Sequence, residues 1–398
     1  MKSSKGIVGP TVSSILGAWA GAAVVLLAGC ASTPLPAPQP VQPHPATPAP
    51  SASSGEALLR GKSRWIPVSY SELPGWEDDR IGETWSAVLR SCERPATSFA
   101  SLCAEARSAP VADDSFLREW LMQRLQPYRI ESLDGQVDGL MTGYFEPLIE
   151  ASRSPRGAFR IPLYGVPPDL PSRRPYWTRQ ELDTLPVAQA SLRGREIAWL
   201  ADPLDALLLQ VQGSGRLRFA DGTGRVEQVR VAFAGHNDQP YRSIGRWLID
   251  QGELRPEQAS WLAIRDWARR NPARLNELLW SNPRVVFFRE ESLPDPGLGP
   301  RGAQGVPLTP GRSIAVDPQS VPYGTPVWVS STEPLSSTRL QRLVVAQDTG
   351  NAIAGAVRAD YFWGWGDEAE AQAGRMKQPL RMWALWPREG SPRLRAMK

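Results

Sequence analysis

The sequence predicts a mainly β fold with helical blocks, in which a discontinuous main domain carries an insertion. Two observations lead there. Short apolar runs separated by Gly, Pro, Asp and Arg fill the chain from about residue 139 to 233, and similar runs return after 285. Helix-period segments lie ahead of the first set and between the two sets, and no internal repeat of fixed period is present.

Taken in order, the chain begins with Lys2 and Lys5 and an apolar run over residues 15–27 that closes on Leu27-Ala28-Gly29-Cys30. A secretory signal is shorter than a membrane span and ends on small residues. A cysteine directly after Leu-Ala-Gly is the bacterial lipobox, so residues 1–29 are expected to be a lipoprotein signal and Cys30 the lipidated residue. An ordinary signal peptide with an incidental cysteine is the plainer alternative. Ala31 stands where an Asp would retain the protein at the inner membrane, which favours the periplasmic face of the outer membrane. Triacylation would supply enough buried CH₂ groups for stable anchoring. Residues 31–54 form a Pro/Ala/Ser tract with no acidic or basic side chain before Glu56 apart from His44. Such a segment buries no core and extends at about 3 Å per residue. Residues 30–55 are therefore expected to be a tether.

The body follows. Residues 81–89 and 115–125 carry apolar side chains at helical spacing. Between them stand Cys92 and Cys103, the only cysteines after Cys30. In an oxidising periplasm this pair suits a disulfide, with two buried thiols as the alternative. A metal site on these cysteines lacks further ligands, because His44 lies in the tether and His236 stands alone. Strands are expected over 140–145, 159–163, 206–212, 217–219 and 228–233. Helices follow over 241–250, 256–268 and 272–279, the last two opened by a proline suited to a first turn. The chain returns to strands over 285–290, 314–316, 327–330, 342–347 and 380–385.

Charge excludes one class of function. The 45 Lys and Arg are nearly balanced by 41 Asp and Glu, and the arginines are scattered without a basic block, so nucleic-acid binding has little support. With only two histidines, carboxylates must carry most of any catalysis. Asp348-Thr349-Gly350 follows two valines, as in aspartic proteases, but that chemistry needs two such carboxylates and no second copy occurs; a homodimeric protease remains open. Asp348 could equally be a turn residue that binds backbone N–H groups. Asp360 precedes Tyr361, Phe362, Trp363 and Trp365. Burial among aromatics raises a carboxyl pKa, and a general acid at neutral pH needs such a value. The plainer reading is a surface Asp beside core tryptophans. Tryptophan occurs 16 times, an excess that fits a carbohydrate groove even though Trp247, Trp261 and Trp267 sit on expected amphipathic helices. Thr142 and Tyr144, Gln212 and Ser214 offer hydrogen bonds beside glycines that permit close approach. For Ser214 only His236 could act as base, which disfavours a Ser-His-Asp triad.

Taken together, these segments resemble the membrane-bound lytic murein transglycosylase A (MltA) family. The resemblance rests on Thr142-Gly143-Tyr144-Phe145-Glu146-Pro147, Val211-Gln212-Gly213-Ser214-Gly215, Tyr241-Arg242-Ser243-Ile244-Gly245, and Asn282-Pro283 with Val286-Phe287-Phe288. Asp317-Pro318 with Pro322-Tyr323-Gly324-Thr325, Asp348-Thr349-Gly350 and Asp360 match the three aspartates of the family's C-terminal 3D module, about 312–390. The resemblance implies a double-psi β-barrel main domain, 56–147 and 236–398, with a smaller β-barrel domain inserted at 148–235 and a groove between them. It implies exolytic cleavage of the MurNAc-β-1,4-GlcNAc bond of peptidoglycan with formation of a 1,6-anhydro end. Asp360 is then the catalytic residue, Asp348 its support and Asp317 structural. Thr142, Tyr144, Gln212, Ser214, Tyr241 and Trp363 are candidate substrate contacts. Peptidoglycan strands are the expected partner, the outer membrane the anchor and cell-wall synthases further candidates, with a monomer and neither cofactor, metal nor nucleic acid expected. A hydrolytic muramidase using both aspartates, and a non-catalytic wall-binding lipoprotein, are the alternatives.

Overall fold

In the computed structural model, residues 56–109, 113–220 and 226–388 are described. The expected signal segment, Cys30 and the tether lie outside them. Two short strands, β1 (Leu58–Leu59) and β2 (Ser63–Pro67), lead into three helices, α1 (Gly82–Ser91), α2 (Ala100–Ser108) and α3 (Asp114–Arg124). Asp113 caps α3 by accepting the Phe116 N–H at 2.9 Å. Cys92 and Cys103 are bridged, with Cα atoms 5.2 Å apart, and tie the end of α1 to α2.

The large sheet then begins with β3 (Leu125–Ser132) and β4 (Gly139–Glu146) and is completed only after residue 312, by β11 (Ser313–Val316), β12 (Pro326–Thr332), β13 (Arg339–Asp348), β14 (Arg358–Trp365) and β15 (Lys377–Pro387). Its order is β1-β2-β3-β15-β12-β13-β11-β14-β4. The first half of β15 also pairs with β4, from Lys377 opposite Thr142 to Leu380 opposite Gly139. Six strands therefore close into a ring, with β3, β2 and β1 continuing from the second half of β15.

The strand sequences explain this layering. Val327, Val329, Val344, Ala346, Met382 and Ala384 pack in one cluster, while Trp328, Leu343, Val345, Trp383 and Leu385 alternate with them and pack against α1–α3. Strands buried on both faces read as continuous apolar runs, as Leu343-Val344-Val345-Ala346 does. A buried ion pair ties the helices to the ring: Arg312 donates to Asp79 at 2.8 Å, and Asp79 accepts the Leu343 N–H at 2.9 Å.

The elements from β5 (Leu148–Ala151) to β10 (Val286–Glu291) form a second lobe, and the segment over 299–312 returns to the ring, where the Gln304 N–H donates to the Gln347 carbonyl and the Gly311 N–H to the Phe362 carbonyl. A four-stranded sheet runs β10, β9 (Val226–His236), β8 (Ser214–Ala220), β5, and β6 (Ile161–Tyr164) pairs with β7 (Glu196–Leu200). Because β10 pairs with β9, this sheet takes a strand from well beyond residue 235. The helices of this lobe include α6 (Pro203–Gln212), α7 (Ile244–Asp250), α8 (Trp261–Arg270) and α9 (Leu275–Trp280), numbered after α4 (Arg179–Thr184) and α5 (Pro186–Leu192).

The strand expected over 206–212 is a helix. Asp202 accepts the Leu204 N–H at 2.8 Å, Pro203 fills the first turn, and Gly213 ends the helix in the left-handed conformation at φ 79°. Start and stop signals override the apolar run Leu207-Leu208-Leu209. The helices expected from 256 and 272 each open as a short 3₁₀ turn before α8 and α9 proper.

Between the lobes sits a buried charge cluster. Glu146, at the end of β4, accepts from Arg216 of β8 at 2.7 Å and Arg230 of β9 at 2.5 Å. Both arginines also donate to the Leu298 carbonyl, at 3.0 and 2.6 Å. The Arg216 guanidinium lies 3.8 Å from the ring centroid of Trp365, at the end of β14.

Candidate active site

Strand register places the two carboxylates in one row. Asp348, the last residue of β13, pairs with Ala315 of β11; Ala315 also pairs with Asp360 of β14, and Asp360 with Thr142 of β4. Two strand spacings separate the aspartates, roughly 10 Å between Cα atoms, with the small Ala315 side chain between them.

Strand β4 supplies a partner for each. Thr142 Oγ1 donates to Asp360 Oδ1 at 2.5 Å, and two residues on, the Tyr144 hydroxyl donates to Asp348 Oδ2 at 3.0 Å. The two-residue period of a strand puts both side chains on one face. Gly143 points to the other face, where an added Cβ would come within 2.7 Å of Trp363 Nε1 and 2.9 Å of the Ala373 backbone. That close approach is why glycine separates Thr142 from Tyr144. The other Asp348 oxygen, Oδ1, accepts the Ala303 N–H at 2.9 Å. The loop reaches it because residue 302 is glycine: a Cβ there would come within 2.4 Å of the Gln347 carbonyl.

The electrostatics separate the pair. Burial pushes the Asp360 carboxyl up to about 6, the nearby Asp348 adds to the rise, and the Thr142 hydrogen bond and the Arg358 guanidinium pull against it. Burial also raises Asp348, offset by the Thr349 and Ala303 N–H groups and the Tyr144 hydroxyl. Asp317 goes the other way. Burial raises it, but the Gly355 N–H, the Lys62 ammonium at 2.9 Å and the Gln319 N–H together hold it below the usual carboxylate range.

Asp348 and Asp360 line a cleft of about 710 Å³ between the ring and the second lobe. Tyr144, Gln212, Ser214 and Tyr241 line it too. Gln212 Oε1 also accepts the Phe145 N–H at 3.3 Å, joining the end of α6 to β4. Thr142 reaches the site through Asp360. Trp363 is not brought to the cleft: it follows Asp360 by three positions on β14 and therefore takes the opposite face, its ring 5.0 Å from Tyr361 and its Nε1 on Met376 Sδ at 3.2 Å. Nor do the other aromatics after Asp360 line it. Tyr361 and Phe362 are fully buried, with Phe362 packed 5.2 Å from Tyr144, and Trp365 lies under Arg216. The aromatic rings on the cleft are Tyr144, Phe233 and Tyr241.

Ala303, Ala315, Phe233, Arg284, Arg289 and Arg301 also line the cleft and were not singled out from the sequence. Ala303 and Ala315 act through backbone and small size, which leave no chemical signature. Phe233 sits beside a register shift in the β9–β10 pairing, and 46% of its surface is exposed, unusual for a phenylalanine. His236 Nδ1 accepts the N–H of Asp238. Among the described residues no group of three or more His, Cys, Asp or Glu side chains is placed to hold a metal ion.

Comparison with known proteins adds the family context. A family model described as the MltA specific insert domain matches residues 140–289, and one described as the 3D domain matches residues 312–386. A membrane-bound lytic murein transglycosylase A of Vibrio cholerae is 33% identical over 287 residues, 68% of this chain and 74% of that protein. The lytic transglycosylase LtgG of Burkholderia pseudomallei, a solved structure, is 45% identical with a TM-score of 0.58, over 84% of this chain and 98% of its own. The crystal structure of E. coli MltA with bound chitohexaose is 25% identical with a TM-score of 0.63, over 85% and 99% of the two chains.

Proposed function

The chain belongs to the membrane-bound lytic murein transglycosylase A family, and from that premise we propose that Asp360 is its single acid and base. The activity is that of a lytic transglycosylase, a lyase that cleaves peptidoglycan. The cleft takes the glycan strand, a reading supported by the chitohexaose held by the E. coli relative.

The observation that carries the mechanism is the placement of Asp360 in the cleft with a pKa near 6, which leaves about one carboxyl in ten protonated at pH 7, against about one in a thousand for an ordinary Asp. In the first step the Asp360 proton passes to the glycosidic oxygen between MurNAc and GlcNAc. The C1–O bond breaks, GlcNAc leaves with its 4-hydroxyl, and C1 takes oxocarbenium character. Asp360, now ionised, accepts the proton of the muramoyl C6 hydroxyl, whose oxygen bonds to C1. The product carries a 1,6-anhydro ring, Asp360 is protonated again, and no water is consumed. Asp348 supports the step by its charge near Asp360 and by holding Tyr144, and its carboxylate also accepts the Thr349 and Ala303 N–H groups. Asp317, bound to Lys62, Gln319 and Gly355, is structural. Tyr144, Gln212, Ser214 and Tyr241 contact substrate. Asp360→Asn is expected to lose at least a thousandfold in release of soluble muropeptides from sacculi. Wild-type release by a folded Asp360→Asn protein would remove Asp360 from the mechanism.

The six-stranded ring suits a double-psi barrel, and pairing of β10 with β9 favours drawing the inserted lobe to residue 291, beyond the expected 235. Relatives carry the description membrane-bound, and no helix of the described residues is long and apolar enough to cross a membrane. Lipidation at Cys30 on the outer membrane accounts for both. Cys30→Ser should then move the protein from the membrane fraction to the soluble one; unchanged membrane fractionation would argue for another anchor.

A further inference from the structure

The Asp360 carboxyl has two unlike oxygens. Oδ1 accepts from Thr142 Oγ1, while no protein donor reaches Oδ2 among the described residues. Thr142 Oγ1 itself accepts from Arg358 Nη2 at 2.9 Å. Arg358 lies two residues before Asp360 on β14, on the same face, and its other head group nitrogen, Nη1, turns to the Leu140 and Ala359 carbonyls. It is half-buried, and burial lowers its pKa, yet a guanidinium only donates and stays charged.

These facts set a direction. A hydroxyl has one hydrogen, and on Thr142 the approach of an Arg N–H occupies an acceptor position. The hydroxyl hydrogen is left to point at Asp360 Oδ1, which can then accept but not carry the mobile proton. We propose that Arg358 and Thr142 form a one-way hydrogen-bond relay that keeps the acid proton of Asp360 on Oδ2, the oxygen left free for the glycosidic bond. Both are positioning residues: neither needs to touch the reacting atoms, and each acts through the next. This rests on Asp360 being the general acid. It also gives Thr142 a different part from the substrate contact expected of it.

The charged and titratable groups around Asp360 come from four strands. Arg358 shares β14, Tyr144 lies on β4, and Asp348 ends β13. Lys377 of β15 pairs in register with Thr142 and is exposed. The relay favours the ionised carboxyl, whereas Asp348 opposes it. Breaking the relay should therefore raise the pH at which the acid is lost.

The test compares pH–rate profiles of kcat/KM and kcat on isolated sacculi for the full mature protein and for Thr142→Val, Thr142→Ser, Arg358→Met and Asp360→Asn, with thermal melting as the folding check. Thr142→Val should lower kcat roughly ten- to hundredfold, the scale of a misaligned reacting group, with KM within about twofold. It should also move the alkaline fall upward by about one pH unit. Thr142→Ser, which keeps the hydroxyl, should restore both, and Arg358→Met should move the profile the same way as Thr142→Val. A folded Thr142→Val protein whose alkaline fall stays at the wild-type pH overturns the relay while leaving Asp360 in place. Activity retained by Asp360→Asn overturns the underlying acid assignment instead.

Discussion

Asp360 combines two opposed influences: burial and Asp348 favour its neutral form, Thr142 and Arg358 its anion. With the balance near 6, the protonated form of the proposed acid is lost as pH rises through that value, so kcat/KM should fall above about pH 6. Asp348→Asn removes a like charge, which lowers the Asp360 pKa. The fall should then move to lower pH, and a profile left in place would show that Asp348 does not sense Asp360. Part of this was legible in the sequence. Asp360 stood out by its setting, but the aromatic side chains that follow it do not line the cleft, and the desolvation comes from the fold around the carboxyl. Thr142 and Tyr144 were legible as polar groups beside glycine. Their assignment to one aspartate each depends on the parallel pairing of β4 with β14, a contact between residues more than two hundred positions apart.

At the level of elements, the cleft depends on how β4 passes from the ring to the second lobe. Glu146 marks that crossing, pairing with both Arg216 and Arg230 in a buried site. Glu146→Ala leaves two buried guanidinium groups without their carboxylate, and should destabilise the protein by about 3–5 kcal/mol. Denaturant unfolding checks this, and a loss under about 1 kcal/mol would mean the arginines rely on the Leu298 carbonyl and Trp365 alone. Strands buried on both faces, such as β12, β13 and β15, were readable from unbroken apolar runs. The same signal misled at 206–212, where Leu207-Leu208-Leu209 is equally apolar but the Asp202-Pro203 start and the Gly213 stop make a helix. Periodicity cannot separate a buried strand from a buried helix over so short a run; caps can. Strands β2 and β3 carry no such signal because Arg64, Arg129 and Glu131 break their apolar pattern; Arg64 pairs with Glu131 across the two strands, and Arg129 with Glu131 along β3.

For the whole molecule, interruption of the ring after β4 does more than add a lobe. It brings Ser214, Gln212 and Tyr241 into one cleft with Asp348 and Asp360, so that in the proposed mechanism the glycan has a gripping wall and a reacting wall. The insertion could be inferred from the return of strand texture after residue 285, but its limits could not, since β10 joins β9 across some fifty residues of helix and loop. In the proposed reaction one carboxyl, first as acid and then as base, closes the muramoyl C6 oxygen onto C1 without water. Mass analysis of muropeptides released from sacculi by the purified protein tests this most directly. The expected products end in 1,6-anhydro-MurNAc, one water lighter than hydrolysed chains and free of label when the reaction runs in H₂¹⁸O. Reducing MurNAc ends that carry ¹⁸O would contradict it and point to a hydrolase using Asp348 and Asp360 together.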